Sequence, residues 1–556
     1  MPLHRQPARH RLVVLFAILI GFTAVFSCSP GARLLLSGGE KVRTLPHAPP
    51  NGPLVLIFAF DGVGYHELGK ALESGHAPNL EQLLGKSRGD GLYEHAWSAS
   101  NAIGILPSTT VAAWSSIFTG APPAYHGVSG NEWFVREEMR FYAPAPVSVS
   151  ETDDTRRMVT EDLVGKALRT PTLFEQAGVR SYVSLNPVYR RADIFTTIDP
   201  IAFVSLMAEF IHGEVTERSS LKRDAYAELD LNSVPKLIDA INTHGLPAIQ
   251  VVYFPGIDLY THLTPDALAS QVEYLETITD PAVGQVLDRY RTAGVLDRTY
   301  VLIIADHGHT PVLKENALGS EGTDTPAAVL RATGFRTRKF KLEPAPDEQD
   351  YQAAFAYQGA MAYVYLADRS TCAPAGQKCD WRKPPRFGAE VMPAVRAFDY
   401  VNRTGTPIPR LKGTLDLIFA RGRTRAAQQA LRPFEIFDGK KLVPIYTYLK
   451  AHPRPDLLKL NERMRWLGVG PYGNRAGDIV LLARSGLTIP IEQRFYFSGP
   501  YHSWHGSPSE QDSHIPLVLA CQGKDGKDLQ DLVERVAGSQ PSQLDVTPLV
   551  RAILGR

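Results

Sequence analysis

The segment Leu54-Val-Leu-Ile-Phe-Ala-Phe60 is apolar without interruption and runs straight into Asp61. A short apolar run bounded by turn residues, here Pro53 and Gly62, reads as a strand buried on both faces. The pattern recurs: Ile249-Gln-Val-Val-Tyr-Phe254 leads into Pro-Gly-Ile-Asp258, and Tyr300-Val-Leu-Ile-Ile-Ala305 into Asp306-His307. Further apolar runs at 180–185, 362–366, 415–420, 478–483 and 515–520 alternate with helical stretches such as 78–84, 111–118, 234–242 and 282–293. That alternation predicts an α/β fold, a large and mostly parallel sheet sandwiched by helices. The stretch 312–501 adds Pro-rich and basic irregular segments to its strands and reads in part as an inserted cap.

Three of these strands end in carboxylates. In an open α/β sheet the carboxyl ends of parallel strands form the ligand crevice, so Asp61, Asp258 and Asp306 can converge although they stand 48 to 245 residues apart. Each alone has an ordinary explanation as a turn former or helix N-cap. Together they repel one another unless cations sit between them. His262, four residues after Asp258, and His307, beside Asp306, are imidazoles suited to a metal such as zinc. Gly308 then suits a strand end where backbone approaches closely.

Composition bounds the rest. At 556 residues, with 44% hydrophobic and 21% charged residues, the chain is an ordinary globular protein large enough for an extensive core. Lys and Arg total 59 against 58 Asp and Glu, so there is no general attraction to nucleic acid, and binding to a nucleic-acid polymer is not expected. There is no repeat of 20 to 50 residues, heptad stretch or low-complexity tract.

Arg5, Arg9 and Arg11 precede an apolar run from Leu12 to Phe26, the charged and hydrophobic regions of an export signal. The run is short for a membrane span, which wants about 20 residues. Val25-Phe26-Ser27-Cys28 weakly resembles a lipoprotein cleavage site, so residues 1–28 read as a signal peptide or a lipoprotein or membrane anchor, with 29–51 as linker. The expected location is the periplasm or cell envelope, with membrane attachment through the N-terminus where the segment stays or Cys28 carries lipid. An oxidising compartment permits disulfides, and Cys372 and Cys379 flank a short loop that a bridge would close; a zinc pair is the alternative. Cys521 reads as a buried core thiol.

Pro107-Ser-Thr-Thr110-Val-Ala-Ala-Trp sets hydroxyl residues just before a helical stretch. Free N–H groups and the positive dipole end favour an anion there, so a threonine held by a metal becomes a nucleophile candidate, while a plain N-cap is the simpler reading of Thr110 taken alone.

The ordered set Asp61, Thr110, Thr119-Gly120, His126-Gly127, Asn131, Asp258-x3-His262, Asp306-His307-Gly308 and His505-Gly506 resembles the alkaline phosphatase superfamily, and most closely its type I phosphodiesterase/nucleotide pyrophosphatase branch. The resemblance covers about residues 53–310 and 476–556. It implies an alkaline-phosphatase-like catalytic domain over 52–556 with a cap insertion within about 312–501. It also implies two divalent metal ions, zinc by family habit: one held by Asp61, Thr110, Asp306 and His307, the other by Asp258, His262 and His505. Thr110 would attack phosphorus and carry a covalent phosphoryl group that water hydrolyses, while Asn131 donates to a phosphate oxygen; the alternative for Asn131 is a turn residue beside Gly130. Of His502, His505 and His514, the family's His-Gly picks His505. The cap would be the usual place for substrate selection.

The implied function is metal-dependent hydrolysis of a phosphate ester, by a phosphodiesterase or pyrophosphatase. Val111 stands where nucleotide-cleaving members carry an aromatic residue. The Lys-x-Arg pair of a monoesterase branch is absent from Ser184-Leu-Asn-Pro-Val-Tyr-Arg-Arg191, which favours a diester unless Arg190 or Arg191 compensates. An alkaline phosphomonoesterase is the alternative, and a non-catalytic metal-stabilised envelope binding protein the remote one. A sulfatase would need a convertible Cys or Ser, and membrane phosphotransferases several spans.

Overall fold

A computed structural model describes residues 51–212, 219–319, 325–422 and 432–556. The expected export signal, Cys28 and nearly all of the linker lie outside the described residues. Among those described, no helix is long and apolar enough to cross a membrane.

Nine strands form one sheet in the order Ser87–Gly89, Leu92–Tyr93, Ala96–Ser98, Leu517–Ala520, Thr299–Ala305, Leu54–Phe60, Ile249–Phe254, Ser181–Ser184 and Ile194–Thr196. The five from Thr299–Ala305 to Ile194–Thr196 pair in parallel. On the other side Leu517–Ala520 is antiparallel to Thr299–Ala305, and the pairing stays antiparallel to the edge. The parallel character read from the sequence thus belongs to five strands, and the sheet as a whole is mixed. Every residue of Leu54–Phe60 and Ile249–Phe254 is buried, which requires cover on both faces. Each Ile, Val, Leu or Phe so enclosed contributes about 1.5–3 kcal/mol.

The apolar runs at 362–366, 415–420 and 478–483 do not join this sheet. They fall in a second, six-stranded antiparallel sheet ordered Ala353–Gln358, Met361–Leu366, Ile479–Ala483, Leu415–Arg421, Phe434–Phe437 and Leu442–Pro444. It has its own apolar layers on both faces. Cys372 and Cys379 are joined by a disulfide, which excludes the zinc-pair alternative for them, and Cys521 is a free, buried thiol.

The two sheets meet where the hairpin Gln358–Met361 touches the loop carrying His505. Ala360 N donates to His505 O at 2.9 Å. The approach requires glycine: Gly506 has φ 104°, and a Cβ on it would stand 1.9 Å from Gln358 O. Gln358 also accepts from Asn131 N through Oε1 at 2.8 Å. The region between 312 and 501 therefore buttresses the site from behind.

Candidate metal centre and active site

Strand register decides where the acids go. Phe60 lies opposite Ala305 on one side and Phe254 on the other, so the three strands end level. Asp61 and Asp306 follow at once. Pro255 turns the third chain into the helix Gly256–Leu263, with Asp258 in its first turn and His262 in its last, one above the other on one face.

That helix start rests on Asp230, which accepts from Gly256 N at 2.9 Å and from Tyr274 Oη at 2.9 Å. Burial pushes its carboxyl up to about 7, against the pull of those two donors. The unfolded chain ionises near the ordinary 3.8 and the folded one near 7, so this group's contribution to stability is lost progressively as pH rises through that window. Asp230→Asn keeps an acceptor for Gly256 N and can donate to Tyr274 Oη. It is expected to be more stable than wild type by roughly 2–4 kcal/mol at pH 8, the gain shrinking toward zero at pH 4. Denaturant unfolding at the two pH values checks this; a difference independent of pH would rule out the carboxyl as its source.

Three buried groups of ligand atoms converge, one of them Asp258, His307 and His309. Those of Asp61, Asp306 and His307 lie within 4.8 Å of one another, as do those of Asp258, His262 and His505, and all six residues are buried. In each histidine of these six Nδ1 meets a backbone carbonyl: His262 at Ser503 O (2.6 Å), His307 at Gly308 O (3.1 Å) and His505 at Ser108 O (3.0 Å). A carbonyl only accepts, so Nδ1 carries the proton. Burial pushes His307 down to about 3 and His262 to about 4, and with a neighbouring imidazole holds His505 well below its usual range, so the rings are neutral at pH 7. Their Nε2 lone pairs then face carboxylate oxygens. His307 Nε2 is 3.5 Å from Asp61 Oδ1 and 3.4 Å from Asp306 Oδ2, and His262 Nε2 is 3.5 Å from Asp258 Oδ2.

Asp61 Oδ1 and Asp306 Oδ2 are buried with no hydrogen-bond partner. Burial, with the charges of Asp306 and Asp258, drives the Asp61 carboxyl well above its ordinary value, and burial lifts Asp306 to about 7. Orphaned carboxylate oxygens opposed by imidazole lone pairs fit divalent cations. The opposite edges of these acids are held: Asp306 Oδ1 accepts from Gly62 N (2.9 Å) and His307 N (3.1 Å), and Tyr253 Oη donates to Asp61 Oδ2.

Thr110 opens the helix Thr110–Ile117. Thr109 is the N-cap, so the plain-cap alternative for Thr110 does not apply. Its Oγ1 reaches His307 Nε2 at 3.3 Å. Val111 N donates to Asn131 Oδ1 at 2.9 Å, which fixes the amide and leaves Nδ2 as its donor. Thr110, Asn131, Asp61, Asp258, His262 and His505 line one pocket.

The sequence reading passed over His309. It is fully buried, with Nε2 2.8 Å from Asp258 Oδ1 and Nδ1 3.0 Å from Ser503 Oγ. Ser503 Oγ donates to Thr261 O at 3.0 Å, so it accepts from His309 Nδ1. His309 Nε2 is left facing Asp258 Oδ1. His502 and His514 belong to none of these groups, although His514 lies near His66 and Glu510 on the surface. Arg190 spends its guanidinium on the carbonyls of Gly165, Leu168 and Thr170 and on Glu175, and Arg191 lies 3.8 Å from the same Glu175.

An activated-hydroxyl candidate between two cation-competent groups, at the carboxyl edge of an α/β sheet, marks a phosphoric ester hydrolase of the alkaline phosphatase superfamily. The chain belongs to the type I phosphodiesterase / nucleotide pyrophosphatase family, whose description matches residues 55–367. Asp61, Thr110, Asn131, Asp258, His262, Asp306 and His307 fall inside that span, whereas His505 lies beyond it and joins the site through its grouping with Asp258 and His262. The chain is also similar to the murine ectonucleotide pyrophosphatase / phosphodiesterase 5 structure, at 11% identity and a TM-score of 0.48, over 90% of this chain and 95% of that one.

Proposed function

We propose that the chain is a phosphodiesterase or pyrophosphatase in which Thr110 is the nucleophile. The observation that carries this is the contact of Thr110 Oγ1 with His307 Nε2 at 3.3 Å, beside the orphaned oxygens of Asp61 and Asp306. Asp61, Thr110, Asp306 and His307 would hold one divalent cation, and Asp258, His262 and His505 the other, with zinc suited to this mixture of imidazole and carboxylate donors. Such cations, when bound, lower the pKa of a hydroxyl or water and neutralise charge on phosphoryl oxygens. Thr110 Oγ gives up its proton and attacks phosphorus, the bond to the leaving oxygen breaks and that oxygen takes up a proton, and the phosphoryl group with its remaining ester rests on Thr110 until water displaces it. Asn131 Nδ2 donates to a non-bridging oxygen, and Tyr253 keeps Asp61 turned toward the site.

The diester reading is supported by charge. A monoester brings a second negative charge and needs a cationic grip, yet no Lys or Arg is among the described residues lining the pocket. Arg190 and Arg191 are engaged elsewhere. The metal-loaded protein is expected to prefer bis-p-nitrophenyl phosphate to p-nitrophenyl phosphate by about 10-fold or more in kcat/KM, with activity lost to chelator. Preference for the monoester would make the alkaline phosphomonoesterase reading the better one.

His309 is proposed as the residue that steadies Asp258. His309→Ala is expected to weaken zinc binding by about 10- to 100-fold, read by competition with a chromophoric chelator, because an outer partner that orients a ligand is worth about that much. Unchanged affinity would leave His309 a packing residue. Export to an oxidising compartment is also proposed, supported by the disulfide between Cys372 and Cys379.

A further inference from the structure

The pocket over Thr110 divides sharply in chemistry. Its polar members, Thr110, Asn131, Tyr253 and the Trp504 indole with the carboxylates and imidazoles, all sit at the reaction centre, while no Lys, Arg, Glu, Gln or Ser lines it among the described residues. The rest of the wall is apolar and encloses, with the open mouth, about 730 Å³ of empty space. None of the described lining residues comes from 312–501, where substrate selection was expected; most of the apolar wall comes from between 144 and 210, and Val111, Pro255 and Leu259 complete it.

That wall is built and held. The helix Pro200–His212 presents Phe203, Met207 and Phe210 to the pocket, at the i, i+4, i+7 spacing of a single helical face. Phe210 is anchored beside the metal groups: its ring stacks on Tyr501 at 5.1 Å, and its carbonyl accepts from Tyr501 Oη at 2.8 Å. Across from it Leu185 adopts φ 60°, a conformation that costs a non-glycine residue about 1–2 kcal/mol. Its N–H is tied to Thr196 O at 2.9 Å, and its side chain lines the pocket. A leucine held in a conformation that suits glycine points to a use for the side chain.

A nucleobase needs polar partners for its edge, and away from the reaction centre the described wall offers none. A preformed apolar pocket with its only polar groups at one end suits an amphiphile. Resting on the diesterase reading, we infer that one ester substituent of the natural substrate is an alkyl or acyl chain that lies against Phe203, Met207, Phe210 and Leu185 while the phosphoryl group meets Thr110. The substrate class is therefore a lipid-like phosphodiester and not a nucleotide.

The test is a series of p-nitrophenyl alkyl phosphates with methyl, propyl and hexyl groups, kept below their micelle concentrations, on the metal-loaded full chain. Each of the five added methylenes should raise kcat/KM about threefold, giving about 200-fold from methyl to hexyl, while thymidine 5′-p-nitrophenyl phosphate should rank with the methyl ester. A flat series, or a nucleotide ester faster than the hexyl ester, overturns the inference and leaves the diesterase reading intact. Hydrolysis of none of these esters would sink the diesterase reading instead. Calorimetry with hexylphosphonate and methylphosphonate would then decide the pocket on its own: tighter hexyl binding supports it and equal affinities overturn it. Met207→Asp should cut the hexyl-to-methyl ratio below about 10-fold, since a carboxylate in the wall repels the chain. Leu185→Gly should lower the ratio too while relieving backbone strain, so that it folds. Wild-type ratios in both variants would mean the chain does not lie in this pocket.

Discussion

Thr110→Ala is expected to lower kcat by about 10⁴-fold or more with most of the bound metal retained, because it removes the attacking atom while the two carboxylates and the imidazole proposed to hold the same cation remain. Thr110 Oγ1 makes no capping bond to its helix, since Thr109 is the N-cap, so loss of the hydroxyl should leave the helix start intact. The carboxylates and imidazoles keep all their other bonds, and metal content measured by mass spectrometry should fall little. Thr110→Ser keeps the oxygen and is expected to retain part of the activity. In the wild-type protein, acid quenching during turnover should trap a phosphoryl group on the peptide containing Thr110. An alanine variant with more than about a tenth of wild-type activity would mean that water attacks phosphorus directly and that the hydroxyl is only a ligand.

The same residues mark how far sequence reasoning reaches. The strands Leu54–Phe60 and Ile249–Phe254 and the helix Pro78–Leu84 have the limits their sequence predicts, since an apolar run between Pro, Gly and Asp leaves no other place to stop. The runs at 362–366, 415–420 and 478–483 look the same in sequence and yet build a separate antiparallel sheet. A strand covered on both faces carries no alternation to reveal its partner or direction. At the site, acids at strand ends were legible because register brings them level. His309 was not, because it stands in a coil after the strand where nothing in the spacing says which way a side chain turns. The apolar wall was equally hidden: Phe203, Met207 and Phe210 follow the pattern of a core helix, and only the tertiary fold leaves a space beside them. Ser184 to Arg191 drew notice as a place for phosphate-gripping cations, but Arg190 serves the carbonyls of the preceding loop, an engagement between residues up to 25 apart that no local motif announces.

Asp306→Asn should move activity and metal-free stability in opposite directions. Asp306 Oδ1 accepts from Gly62 N and His307 N, a role an amide oxygen keeps. Its Oδ2 has no partner and lies 3.4 Å from His307 Nε2, whose lone pair faces it. An amide nitrogen in that position donates to the imidazole or to Asp61 Oδ1, also unpartnered. Removing one unpaired charge and gaining a hydrogen bond should stabilise the chelator-treated protein by about 1–3 kcal/mol. In the presence of zinc the order reverses: wild type gains binding free energy at this group, the variant has lost an anionic ligand, and turnover should fall by about 10³-fold or more. Thermal unfolding in chelator and in zinc, run with the assay, reads both signs. A variant destabilised equally in the two conditions would make Asp306 a structural acceptor and remove the ground for a cation beside it. The predicted crossing has one physical origin, since the buried charge that weakens the metal-free fold is the charge that a cation requires.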